Sequence, residues 1–129
     1  MALVLKTGIA EPLHYLEKKV RFSFAQCDYS KYCVTKLNSD EVKRFYVTMG
    51  NFEKLTWDQV RKLPRDKGIS IDKAGSDAYR LLQLRSPTCS TFGHFRVDGV
   101  AANTRIFVGI QDDLAAVHLI DRKGVLQHS

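Results

Sequence analysis

Histidines and arginines recur at the C-terminal end of this chain at a spacing that strands would turn into a surface. The stretch GHFRVDGVAANTRIFVGIQDDLAAVHLIDRKGVLQHS, Gly93 to Ser129, carries His94, Arg96, Arg105, His118, Arg122, Lys123 and His128. Imidazole exchanges a proton near neutral pH, and guanidinium holds two phosphate oxygens in a planar fork while staying charged. These are the parts that phosphodiester cleavage through a ribose 2′-hydroxyl requires: a base for the hydroxyl, cations for the crowded phosphate and an acid for the leaving oxygen.

Strands must position them. The β-rich runs His94 to Val100, Thr104 to Gln111 and Ala115 to Asp121 are separated by Ala101-Ala102-Asn103 and Asp112-Asp113, breaks of hairpin length, which predicts an antiparallel meander. Alternation sets Phe95, Val97 and Gly99 on an apolar back and His94, Arg96 and Asp98 on a charged front. In the third strand it sets Ala116, His118 and Ile120 against Val117, Leu119 and Asp121.

Upstream segments supply cover for the back. Val20, Phe22 and Phe24 alternate as a strand. Asn38 with Glu41 forms a capping box opening a helix from Ser39 to Lys54, whose stripe is Val42, Phe45, Tyr46, Met49 and Phe52. Thr56 with Gln59 repeats the device for a short helix ending near Leu63, before Pro64, with Trp57 as a core anchor. Gly68 to Ser76 reads as a loop with an extended piece at Ile69 and Ile71. Asp77 to Arg85 fits either period; a strand is expected, because RSPTCSTFG then loops back into the meander. Residues 1–19 follow no firm pattern beyond a short helix start at Glu11-Pro12. The expected fold is α+β over residues 1–129 as one domain, an N-terminal strand and two helices packed on a twisted antiparallel sheet of four to five strands.

Composition narrows the classes. The 129 residues include 20 Lys and Arg against 14 Asp and Glu, a net charge of +6, enough to attract polyanions where it clusters. The densest cluster, Arg61, Lys62, Arg65 and Lys67, is either a solvated helix end or a rail for a phosphate backbone. Cys27, Cys33 and Cys89 are odd in number and lack CxxC spacing, so free thiols are expected. No apolar run approaches the ~18 residues of a membrane span, and a cytoplasmic protein without membrane contact is expected. The absence of a Gly-rich phosphate loop, paired carboxylates or a metal-ligand cluster argues against a cofactor or metal.

The strands YRLLQLR, GHFRV, TRIFVGI and AAVHLIDRKGVL, in this order after the helices, resemble the RelE/ParE superfamily of small basic bacterial toxins. The likeness covers Val20 to Gln127 as an order of elements and is closest over the last fifty or so positions. It implies a toxin-like component of a toxin–antitoxin pair, a metal-independent RNase acting on RNA or the ribosome and neutralised by a cognate antitoxin protein. It also implies that the phosphate-stabilising arginine is Arg96 or Arg105, and that His118 and Lys123 join it in catalysis. His94, Arg122 and the Arg61, Lys62, Arg65, Lys67 cluster would then bind the nucleic acid. The tyrosine usual near that family's C-terminus is replaced here by Leu126, Gln127 and His128. The alternative is a noncatalytic nucleic-acid- or protein-binding module of the same fold, such as an inhibitor of gyrase.

Overall fold

The computed structural model describes residues 13–97 and 104–126. Five strands, β1 (Arg21–Ser23), β2 (Ser70–Ile71), β3 (Phe92–Arg96), β4 (Arg105–Gln111) and β5 (Leu114–Asp121), form one sheet in the order β1-β5-β4-β3-β2. With helices α1 (Ser39–Glu53), α2 (Trp57–Arg61) and α3 (Asp77–Arg85) the class is α+β. The expected β3–β4 connection, with Asp98, Gly99, Val100 and Ala101-Ala102-Asn103, lies outside the described residues, as does His128.

Both capping boxes form. The Asn38 side chain accepts the Glu41 N–H while Glu41 accepts the Asn38 N–H, each at 2.9 Å, and Thr56 and Gln59 reciprocate in the same way. Each satisfies two donors that the first helical turn would otherwise leave unpaired. The stripe of α1 buries Phe45, Met49 and Phe52 against Phe95, Val97, Ile106, Val108 and Val117 on one face of the sheet. Trp57 is buried in the same core, and its indole N–H donates to the Asp113 carbonyl at 2.9 Å, tying α2 to the β4–β5 turn. That turn is the two-residue Asp112-Asp113 link, with Asp112 at φ 59°, a conformation that short polar side chains tolerate better than most.

Three expectations need correction. First, Asp77–Arg85 is a helix. A strand would put Leu82 and Leu84 on one face, yet Leu82 is 0% exposed and Leu84 80%. Ser76 caps the helix by accepting the Tyr79 N–H, and Ala78 and Leu82, four apart, share its buried side. Second, this helix covers what was expected to be the open front of the sheet: Ala78 and Leu82 pack with Phe92, Phe107 and Leu119. The sheet is therefore sandwiched between α1/α2 and α3, and charged residues reach solvent at its Arg96 end and at its two edges, β2 and Arg21 of β1. Third, the sheet is mixed, because β1 runs parallel to β5 while β2 to β5 pair antiparallel.

A β-bulge accounts for one further difference. Phe107 pairs with Leu119 but Val108 pairs with Val117, so β5 carries an extra residue, His118. The simple alternation opposed Val117 to Ile120; the bulge lets both join the α1 core.

Candidate functional site

The β2 edge gathers residues distant in sequence. A Cβ added to Gly93 would lie 2.6 Å from the Ser70 carbonyl oxygen, so β2 can close on β3 only because that position is glycine. The close approach seats Asp72, one residue past β2, where its N–H donates to the Phe92 carbonyl at 2.8 Å. Its carboxylate Oδ1 then lies 2.7 Å from His94 Nδ1. Asp72 has a wholly buried side chain, and its second oxygen, Oδ2, finds no hydrogen-bond partner among the described residues. A buried, half-satisfied carboxylate is costly, and service to a site is one of the reasons a protein keeps such a group.

The pairing has a chemical consequence. An ionised carboxylate can only accept, so Nδ1 is the donor, and in the neutral tautomer of the His94 ring Nε2 is the nitrogen that accepts. The ring is held further by Phe107, whose centroid is 5.5 Å away. A base with a fixed tautomer, oriented by a buried carboxylate, is the arrangement that hydroxyl activation needs.

His94 lines a cleft of about 310 Å³, together with Arg65, Ser70, Ile71, Lys73 and Arg96. Arg65, Lys73 and Arg96 are exposed cations, set against Asp66 on the same rim. Arg65 arrives on the turn after α2, Lys73 follows β2, and Arg96 ends β3, two residues from His94 on the same strand face. The cleft thus combines an oriented imidazole with three cations that can take up phosphate charge.

Of the residues expected from sequence, the structure brings His94, Arg96 and Arg65 together here. Arg105 sits opposite Arg96 in register, but it is buried; burial, then the neighbouring Arg96, pull its pKa down, while Asp121 pulls it up. His118 lies elsewhere and is 1% exposed. Its Nε2 would be 3.2 Å from a Cβ on Gly109, with the Cys89 sulfur 3.4 Å from that point. Its Nδ1 has no hydrogen-bond partner among the described residues, and burial, then Arg85, hold its pKa below the usual imidazole range. Arg61 and Lys62 are each paired with Asp58 at 3.0 Å. Lys67 is exposed on the turn after α2. Arg122 donates to Glu41 at 2.8 Å, and with exposed Lys123 it lines a second groove.

Sequence reasoning missed Asp72 and Lys73. Asp72 stands 22 positions from its histidine, and only the register Ser70 opposite His94 brings the two together. The available signal was the extended piece at Ile69 and Ile71, which placed a carboxylate directly after an edge strand.

No family model matches this chain, and neither curated proteins nor solved structures yield a match to it. The three cysteines are buried and free of disulfides, and none of the described helices is long and apolar enough to cross a membrane.

Proposed function

We propose that this chain is a toxin-like endoribonuclease of a bacterial toxin–antitoxin pair, cutting RNA, free or on the ribosome, in the cleft at the β2 edge. The observation that carries the reading is the 2.7 Å His94–Asp72 pair opening onto Arg65, Lys73 and Arg96. In this reading His94 Nε2 removes the proton of a ribose 2′-hydroxyl. The 2′-oxygen forms a bond to phosphorus as the bond to the 5′-oxygen breaks; the leaving oxygen keeps the electron pair and takes a proton from water. The products are a 2′,3′-cyclic phosphate and a 5′-hydroxyl, and His94 returns its proton to solvent. Arg96 and Arg65 take up the charge that grows on the phosphate.

The resemblance to RelE/ParE toxins supports the same reading through GHFRV, TRIFVGI and AAVHLIDRKGVL, although YRLLQLR, the first strand of that likeness, is the helix α3; the base is then His94 rather than His118 and the phosphate arginine Arg96 rather than Arg105. Inducing the chain alone in a bacterial culture tests it. The expected result is growth arrest with new RNA ends, both abolished by Arg96→Ala. Arrest without new ends would replace the nuclease by a noncatalytic inhibitor, and normal growth would overturn the toxin reading.

A further inference from the structure

The sheet end that carries Arg96 also leads to the second groove. Arg96 pairs with Arg105 and Arg105 with Asp121, one row across β3, β4 and β5. At strand spacings of about 4.8 Å, Arg96 and Asp121 lie about 10 Å apart, the reach of about three nucleotides at a stacked rise of ~3.4 Å. Asp121 opens the second groove, of about 290 Å³, lined by Lys31, Lys36, Arg122 and Lys123 around Tyr32.

The acids of this region are already engaged. Asp121 accepts the Val125 and Leu126 N–H groups, and Glu41 accepts from Arg122 and from the Asn38 N–H. Lys36 makes no ion pair with any described acidic side chain, and the Lys31 ammonium lies 5.4 Å from the Tyr32 ring centroid. Both lysines come from the segment between β1 and α1. That segment is fixed along β5 by the Asp28 N–H to the His118 carbonyl and the Ile120 N–H to the Tyr32 carbonyl. A net-positive groove about two strand spacings from the candidate active site suits the phosphates of a strand that continues past it.

We propose that the groove of Lys31, Lys36 and Lys123 is a second phosphate-binding site, which holds single-stranded RNA running across the ends of β3, β4 and β5 from the His94 cleft. The inference rests on the cleft taking RNA. His94 is recessed at 9% exposure, so the scissile linkage must leave any duplex to reach it, and the occupant is single-stranded.

The test is binding of a labelled ten-nucleotide single-stranded RNA to the full chain over a range of salt. The Lys31→Gln/Lys36→Gln double variant is compared with Lys54→Gln, a loss of charge at an exposed site outside both grooves. The double variant is expected to bind more weakly, with a salt slope lower by about 1.4; its loss of affinity between 50 and 200 mM salt would then be roughly sevenfold smaller than wild type's. Lys54→Gln should match wild type. An unchanged slope in the double variant, an equal effect of Lys54→Gln, or equal affinity for duplex RNA would each overturn the proposal. RNA cleavage with binding indifferent to Lys31 and Lys36 would sink the groove alone; groove-dependent binding without cleavage would sink the nuclease reading alone.

Discussion

At the scale of single residues, Arg96 and Arg105 face each other across two strands yet should behave as opposites. Arg96 is exposed at the cleft, so Arg96→Ala should lower RNA cleavage about 10²- to 10³-fold, the usual effect of removing a donor from a developing anion. Its melting temperature should stay within a degree or two of wild type. Arg105→Ala removes a buried side chain next to Asp121 and should lower the melting temperature instead. Asp72→Asn keeps the shape but lets an amide donate to Nδ1, which would turn Nε2 into a donor. Activity should fall about 10²- to 10⁴-fold, while the loss of a half-satisfied buried carboxylate leaves stability unchanged or higher. His118 offers a pH test. Its folded pKa is depressed from 6.5, so the unfolded chain binds the proton first as pH falls, and the stability present above pH 6.5 is lost as pH drops through the folded value. Denaturant unfolding from pH 7.5 to 5 should show this acid limb in wild type and a flatter one in His118→Gln.

At the scale of elements, α3 and β2 decide the site. Burial of Leu82 between α3 and the sheet predicts that Leu82→Ala costs about 2–5 kcal/mol, whereas Leu84→Ala stays within about 0.5 kcal/mol; equal costs would contradict the helix. Gly93→Ala should push β2 from β3, because its Cβ would meet the Ser70 carbonyl. RNA cleavage should fall with the loss of the His94–Asp72 bond while α1 and its core persist, a separation that hydrogen exchange resolves. Elements with their own local signals were legible from sequence: both capping boxes stand where Asn38, Glu41, Thr56 and Gln59 place them, and β4 and β5 occupy their β-rich runs, although the bulge at His118 breaks the alternation of β5. The nine-residue α3 was not, because a run as short as AYRLLQL satisfies both periods and only its partners Phe92, Phe107 and Leu119 choose between them. The parallel pairing of β1 with β5 is equally a long-range choice, set between Arg21 and Leu114.

At the scale of the molecule, the net charge of +6 is not spread as its sequence clusters suggest. Arg61 and Lys62, in the densest basic run, share the single carboxylate of Asp58, whose pKa is held down first by Lys62 and then by Arg61, so half of their charge is offset locally. Arg65, four residues on, turns into the cleft, and Lys73 and Arg96 join it from β2 and β3. The candidate site was therefore half legible: its cations and His94 carry visible chemistry, but their grouping, and the role of Asp72, exist only in the folded register. The measurement that bears most directly on this account is cleavage of RNA, both naked and bound to ribosomes, by the purified chain, with the ends identified chemically. The account predicts 2′,3′-cyclic phosphate and 5′-hydroxyl ends from wild type and His118→Gln, and none from His94→Gln or Arg96→Ala of intact fold. Cleavage that survives His94→Gln, or its absence on both substrates, would contradict it.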